Sequence, residues 1–494
     1  MASSGISLGV ALRGQQDVYI MSQKGNSFFT GSYPRHTNFG MGEIAQSFDT
    51  TPQLGRANIQ TTLTRAGDLL GEVYLQFTLK PISYRSTDMV VSDAENAKTD
   101  SGNVFAHYTN GAGYAVLNSV SVRIGQHEFD KHTGEIMFLR DQLSNKSDRQ
   151  LTESVGYLVD SPNQHVALAH AALVPQIMTV PMQFWFCTNV EQALPMISLY
   201  WHDVMVYLDL KSMQDLVEQS IAFQALVTAG SESLPAGPDD FQWLGNFYFL
   251  DRMERSMVAN QKTEIVFSQV QYFGDVTVSA AATSLSMPIR FNHPVVDLTF
   301  VLQRASATGA IQGVNGTFSN VTTGNNQWLN FDGPEFIASG AYAAATAGAT
   351  FTVPVTSLVF LSAEPAVSLQ IFLNNQARTE VLPWKFMREC IPSRNYTRIP
   401  REAKCAVYSF GIDADNMLST GTVNFSRLDT AEARITLWGS SARTGYGSGV
   451  ITSTNPVTVT PNASLGWNGR AMCYARNFNL TKISLGMMGV KFAA

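Results

Sequence analysis

The sequence predicts an all-β protein made of two β-sandwiches in tandem. Three observations carry this. Period-two alternation of β-branched and aromatic residues recurs along the whole chain, and helical patterning is confined to short pieces. A strand, turn and amphipathic stretch also return at half the chain length, on either side of a Pro- and Gly-containing break.

The strands come first. Gly71–Leu79, Val116–Ile124, Pro195–Leu210, Thr263–Phe273 and Ser368–Leu373 all alternate or run apolar in the manner of strands, with Gly, Pro, Asn and Asp between them. Helical spacing is found at Gly134–Leu143 and Ser212–Gln219. Many strands at short spacing with few helices indicate a sandwich or barrel. Residues 81–113, 304–350 and 439–468 read as long loops, which in a compact domain usually have a task of their own. Residues 220–240 contain Pro235, Gly237, Pro238 and two acids, and read as a linker near the chain midpoint. Around it, Val120-Ser-Val-Arg-Ile124 and Phe138-Leu-Arg-Asp141 in the first half resemble Val367-Ser-Leu-Gln-Ile371 and Phe386-Met-Arg-Glu389 in the second, at offsets of 247 and 248 residues. Two copies of one β fold follow from that.

Composition narrows the class of function. Only 15% of the residues are charged, against about 25% in ordinary soluble proteins. So few charges suit a protein that covers much of its exterior with neighbours, although a neutral Ser/Thr/Asn surface with no partner would give the same figure. The net charge is −6 and no basic run exceeds two residues, which argues against direct binding of nucleic acid. Four dispersed cysteines, Cys187, Cys390, Cys405 and Cys473, form no CxxC and fit free thiols in a reducing compartment. Neither a signal peptide nor a transmembrane segment is expected.

The search for chemistry is mostly negative. Neither a phosphate-binding Gly-Lys loop nor a dinucleotide fingerprint occurs, and Gly445-Tyr-Gly-Ser-Gly449 lacks the spacing of a nucleophile elbow. In His127-Glu-Phe-Asp-Lys-His132 the histidines are five apart, so on a helix they would not share a face, and a solvated hairpin end is expected there. Arg35-His36, His202-Asp203 and Arg252 with Glu254 and Arg255 read as ion pairs or capped polar groups at strand ends. The sequons at Asn145, Asn315, Asn320, Asn395, Asn424, Asn462 and Asn479 read as products of a Ser/Thr/Asn-rich chain. No catalytic, cofactor-binding or metal-binding residue is expected.

Several stretches, in order, resemble the major capsid proteins of nucleocytoplasmic large DNA viruses, the double jelly-roll family. They are Asp17-Val-Tyr-Ile20, Ser27-Phe-Phe29, Tyr33-Pro-Arg-His-Thr-Asn-Phe39, Leu63-Thr-Arg-Ala-Gly-Asp-Leu69, Val180-Pro-Met-Gln-Phe-Trp-Phe186, and Ala193-Leu-Pro-Met-Ile-Ser-Leu199 with His202-Asp203-Val204. In the second half they are Phe291-Asn-His-Pro-Val295, Tyr408-Ser-Phe410, Gly421-Thr-Val-Asn-Phe-Ser-Arg427, Tyr474-Ala-Arg-Asn-Phe-Asn479 and Gly486-Met-Met-Gly489. Cys187 and Asp203 depart from the family pattern, which has a polar residue and Glu there.

The resemblance implies two tandem eight-stranded antiparallel jelly rolls with short helices and long loops. Residues 1–26 would be an N-terminal arm, 27–219 the first roll, 220–240 the linker and 241–494 the second roll. It further implies a structural protein, not an enzyme, that forms homotrimers of pseudo-hexagonal outline. Such capsomers tile the icosahedral shell of a large double-stranded DNA virus. The partners implied are the chain itself, neighbouring capsomers and minor capsid proteins, with no cofactor, and the location is the virion capsid after synthesis and assembly in the host cytoplasm. A minor or penton-type jelly-roll component and a carbohydrate-binding β-sandwich protein are the alternatives; the latter needs aromatic platforms beside paired acids, and the seven tryptophans are scattered.

Overall fold

The computed structural model describes residues 36–91, 103–144, 153–158, 164–260, 262–279, 282–305, 326–332, 336–346, 349–360, 364–416, 419–437, 443–444, 458–461 and 469–492. Two compact units are present, residues 1–39 and 40–494; of the first, residues 36–39 are described. The expected N-terminal arm, most of the insertions at 304–335 and 439–468, the Gly445–Gly449 run and the sequons at Asn145, Asn315, Asn320 and Asn462 lie outside the described residues.

The first half contains β1 (Phe39–Gln46), β2 (Ile59–Leu63), β3 (Leu69–Leu79), β4 (Ala106–Tyr108), β5 (Leu117–Ile124), β6 (His127–His132), β7 (Gln176–Pro181), β8 (Val204–Leu210), β9 (Val217–Gln219) and β10 (Asp239–Leu250). Its helices are α1 (Ala112–Ala115), α2 (Gly134–Leu143), α3 (Gln164–Ala171), α4 (Trp185–Thr188), α5 (Met213–Leu216) and α6 (Ile221–Thr228). The strands form two sheets, β1-β10-β3-β7 and β2-β8-β5-β6, with β4 and β9 paired separately.

The second half opens with α7 (Arg252–Asn260), then β11 (Thr263–Val278), β12 (Ser284–Pro288), β13 (Pro294–Arg304), β14 (Phe336–Thr346), β15 (Ala349–Phe360), β16 (Ser368–Leu373), β17 (Gln376–Ala377) and β18 (Leu382–Pro383). After a wide helical turn (Phe386–Cys390) come α8 (Ile391–Asn395), β19 (Ala406–Ser409), β20 (Val423–Asn424), β21 (Ala431–Thr436), β22 (Arg443–Thr444), β23 (Thr458–Pro461), β24 (Gly469–Ser484) and β25 (Met487–Val490). Its sheets are β11-β24-β13-β19 and β12-β21-β16-β17, with β18 also on β16, β20 on β13 and β25 on β24.

Counting only the eight strands of each sandwich, the two halves have one topology. In both, one sheet runs first, eighth, third, sixth, and the other second, seventh, fourth, fifth. That is a jelly roll, and it occurs twice. The extra strands obey the same rule. β4, from the β3–β5 loop, pairs β9, from the β8–β10 loop; β14, from the β13–β16 loop, pairs β23, from the β21–β24 loop. The stretches 81–113, 304–350 and 439–468, read as loops, thus contain strands, from two residues in β22 to eleven in β14, and gather at the same end of their rolls.

Four details of the sequence reading need correction. Residues 220–240 are not the boundary between rolls, because β10 starts at Asp239 and pairs β3 inside the first roll. Pro235, Gly237 and Pro238 instead break the chain ahead of a returning strand. Pro195–Leu210 is not one strand, because Leu194 exchanges both backbone hydrogen bonds with Leu70 at 2.8 Å and the chain turns at Met196–Ser198 before β8. Ser212 and Asp215 form a reciprocal capping box on α5, yet the helix stops at Leu216 and continues as β9. The repeat offset is 249 at the hairpins, where Ile124 and Leu373 each precede a two-residue turn, and not 247.

The second roll encloses its own core, which includes Leu298, Phe300, Leu302, Leu369, Trp384 and Cys473. The first roll's core continues without a break into the opposite face of β11-β24-β13-β19, through Phe267, Val301, Val407, Met472 and Tyr474. β13 is therefore buried on both faces, apolar towards the second roll's core and mixed towards the first, where Asp297, Thr299 and Gln303 alternate with the apolar residues. Helix α2 lies at this junction, capped by Thr133, and its first residue is Gly134 because the backbone leaves no room for a side chain. A Cβ there would stand 2.1 Å from Tyr114 O and 2.8 Å from Leu117 O. Replacing Gly134 by Ala is expected to lower unfolding stability by about 3 kcal/mol through forced backbone displacement, measured by denaturant unfolding.

Candidate functional site

The residues singled out by sequence for possible chemistry are dispersed into structural roles. His127 is exposed and His132 buried at opposite ends of β6, with the Gly125-Gln126 turn leading in. The hairpin was anticipated, but its His132 end is not solvated. His132 stacks on Phe184 at 5.3 Å between ring centroids, and its Nε2 lies 2.9 Å from Asp130 Oδ2, off the direction of a linear hydrogen bond. Arg65 pairs with Asp203 at 3.1 Å, while His202 Nδ1 lies 3.1 Å from Met488 O. Arg255 reaches Asp68 at 3.0 Å, whose other oxygen accepts from Leu250 N–H. These are tie points between corners, as ion pairs and caps at strand ends should be. Among the described residues no group of three His, Cys, Asp or Glu could hold a metal ion, and no helix is long and apolar enough to cross a membrane.

Three of the cysteines sit in apolar surroundings. Burial pushes Cys405 up to about 12 and raises Cys187 and Cys473 as well, the condition of inert thiols. Cys390 is exposed. Of the described tryptophans, Trp185, Trp243 and Trp384 are fully buried, whereas Trp201 is 72% exposed beside Tyr200. Asn395 and Asn479 are buried and hydrogen-bonded through their amides, so neither sequon presents a free side chain; Asn424 is exposed.

The polar groups that do gather lie at the junction between the rolls. Sequence reasoning missed it because its polar groups come from six distant segments. At one level Trp185 packs against Phe129 and Phe267, at 5.8 and 5.1 Å, tying β6, α4 and β11 together. Asp130 Oδ1 accepts from Val270 N–H at 3.0 Å, so a buried carboxylate of the first roll caps a strand of the second. At a second level Glu135 of α2 meets Lys211 at 3.3 Å and Arg470 at 3.5 Å. Lys211 Nζ lies 3.9 Å over the Trp328 ring, a cation–π contact, and Trp328 Nε1 donates to Asp215 O at 2.8 Å. Burial lowers the pKa of Lys211, with Glu135 opposing the shift.

At the third level Asp297 Oδ2 accepts from both Nη2 and Nε of Arg476, at 2.7 and 3.0 Å. Arg476 also donates to Ala414 O. Burial disfavours its charge, but Asp297, Tyr396 and Asp415 outweigh that and raise its pKa. Across a small cavity, with room for about one water molecule, this pair faces Ile136, Arg140 and Ser144 of the first roll. Burial lowers the pKa of Arg140, and the Arg476 charge lowers it further. The signal legible in sequence was Asp297 itself, an acid inside the mostly apolar stretch Pro294–Leu302.

Several of the described segments that carried the resemblance map to corners of the two rolls. In the first roll, Leu63–Leu69 is the β2–β3 corner and 193–204 the approach to β8; Ile197 N–H donates to Asp68 O and Gly125 N–H to Asp203 O. In the second, 291–295 is the β12–β13 corner and 421–427 packs on it. There Phe425 N–H donates to His293 O, His293 N–H to Ser426 Oγ at 2.9 Å, and the Phe291 and Phe425 rings meet edge to face.

The fold defines the class as a tandem jelly-roll protein with a sealed junction between its rolls. Comparison with known families agrees. The family described as "Major capsid protein N-terminus" matches residues 27–251, and "Large eukaryotic DNA virus major capsid protein" matches residues 254–489. The chain belongs to the major capsid proteins of large eukaryotic DNA viruses. The major capsid protein of Phaeocystis pouchetii virus is 26% identical over 97% of this chain and 98% of its own length. That of Paramecium bursaria Chlorella virus 1 is 26% identical over 97% of each. The crystal structure of PBCV-1 VP54 superposes with a TM-score of 0.67 at 22% identity, covering 95% of this chain and 100% of that one. The protein is a structural component of a virion capsid.

One titration tests the junction. Burial raises Asp141 of α2 to about 6, with Arg398 opposing. A carboxyl whose folded pKa exceeds its unfolded value favours folding below the unfolded value, near 4, and loses that contribution as pH rises through about 6. Replacing Asp141 by Asn is therefore expected to raise unfolding stability at pH 7. The gain should shrink towards pH 4, in denaturant melts taken across that range.

Proposed function

We propose that this chain is the major building block of its shell, acting as a homotrimer whose six jelly rolls give a pseudo-hexagonal capsomer. The observation that carries the reading is the duplication. Both rolls have one strand order, and their loop ends are held side by side by Asn326, whose amide donates to Gln214 O and Val217 O at 2.6 and 2.8 Å. Three such pairs around an axis place six similar units in a ring, and a ring of that outline tiles a flat face with one kind of subunit. The role is structural and not catalytic. Electron microscopy of the purified chain is expected to show particles of three-fold symmetry and hexagonal outline, with a sedimentation mass three times that of the chain. A chain that stays monomeric at micromolar concentration would end this reading.

In the same picture the loop end faces outward, with the 304–350 insertion, which carries almost no charge, exposed or clasping a neighbour. Residues 1–26 lie beneath the shell against minor capsid proteins, and assembly takes place in the host cytoplasm. The domain division that follows is an arm, a first roll ending with β10 and a second roll beginning with β11. Limited proteolysis of intact particles is expected to cut within 304–350 early and to leave 1–26 uncut until the particle is opened. Early loss of the N-terminal residues from closed particles would reverse the assignment of inside and outside.

A further inference from the structure

The rolls repeat in register as well as in topology. In the first, β10 pairs β3 as Gln242↔Gln76, Leu244↔Tyr74 and Gly245↔Val73, and the ladder is interrupted after Gly245. In the second, β24 pairs β13 as Met472↔Val301, Tyr474↔Thr299 and Ala475↔Leu298, and the ladder is interrupted after Arg476. Side chains alternate across a strand, so Glu72, Tyr74 and Gln76 take the outer face of the first roll's sheet as Asp297, Thr299 and Val301 take that of the second. Leu244 and Asn246 likewise take the first face as Tyr474 and Arg476 take the second.

The two equivalent faces differ in one respect. Asp297, Thr299, Val301 and Tyr474 are buried, because α2 of the first roll covers them with Ile136, Arg140 and Ser144. Glu72 is exposed, and Tyr74, Gln76, Leu244 and Asn246 are only half-buried. The second roll also carries a helix after its fifth strand. It turns Trp384, Met387 and Ile391 into its own core and leaves Phe386, Cys390 and Arg394 exposed. Their four-residue spacing is that of Ile136, Arg140 and Ser144, so they form one stripe of the helix surface.

We infer that the outer face of the β1-β10-β3-β7 sheet, centred on Tyr74 and Leu244, receives the Phe386–Cys390–Arg394 stripe of a second copy of this chain. The contact rests on the trimer reading and repeats between copies the packing that α2 makes within one. It is head to tail, with unlike surfaces meeting, and so can close a ring. Charge agrees with it. Among the described residues Glu72 bonds only to the Tyr74 hydroxyl and faces no cation, while Arg394 bonds only to the Asn395 amide oxygen. Arg394 can thus meet Glu72 as Arg140 and Arg476 stand beside Asp297 across the cavity within the chain.

The test uses the exposed thiol already present. Full-length chain carrying Asn246→Cys or Gln76→Cys, treated with a short bismaleimide, is expected to give a covalent ladder that stops at three chains. Adding Cys390→Ser should abolish the ladder. Phe386→Glu should raise the trimer dissociation constant by at least about tenfold without changing the circular-dichroism spectrum. A variant that sediments as a trimer yet forms no link, a link that survives Cys390→Ser, or a folded Phe386→Glu chain that trimerises like wild type would overturn the contact and leave the trimer standing. A wild-type chain that never trimerises overturns both.

Discussion

The structure depends on a sheet that must be covered on both sides. In β11-β24-β13-β19, Leu298, Phe300 and Cys473 close the second roll, while Val301, Met472 and Tyr474 point away from it and are almost fully buried. An isolated second roll would expose that face, and burying apolar surface is the dominant favourable term in folding. The first roll is thus part of the second roll's fold. This explains why residues 40–494 form one compact unit although two jelly rolls are present.

The charged groups at the junction set which arrangement of the rolls is adopted. A buried ion pair adds little net stability, because desolvation offsets the Coulomb attraction, but removing one partner is costly. Glu135 with Arg470 is such a pair across the interface, and the buried Asp130 carboxylate on Val270 N–H is a second charged contact between the rolls. Sliding one roll past the other by a single residue would part Asp130 from Val270 N–H and Glu135 from Arg470. Apolar packing tolerates small displacements better than that. The hydrophobic contacts hold the rolls together, and the polar ones fix their register.

Much of the fold was legible in sequence, and the parts that were not share a cause. Ser368–Leu373 and Gly134–Leu143 were readable to the residue, since local periodicity and caps determine them. The stretch 195–203 misled because Pro195, Met196 and Ile197 are apolar for a tertiary reason, their packing under the β2–β3 corner. The break at 220–240 misled because Pro and Gly mark a change of direction equally well inside a roll and between rolls. The junction was hidden for a deeper reason. Glu135, Lys211, Asp275, Gln303, Trp328 and Arg470 meet only after both rolls have formed, and a buried lysine looks like any other in a sequence. Several family motifs were informative because they are local, lying in tight corners where Gly67 or Gly486 admits an aromatic side chain that a Cβ would strike at 2.7 or 2.6 Å.

Those corners explain how one chain can be constrained and variable at once. At the short-loop end each corner bonds to its neighbour through backbone groups, as Asp68 does with Ile197 and His293 with Phe425, so a substitution must preserve a close fit. At the other end the connections are long, and each pairs with another connection of its own roll, β4 with β9 and β14 with β23. A loop of that kind can lengthen without disturbing the core, because closure entropy grows only slowly with length. The duplication then gains a second meaning. The same sheet face occurs twice in each chain, once covered by α2 and once open, so a fold that completes itself by pairing rolls carries into its exterior the surface on which the next pair can form.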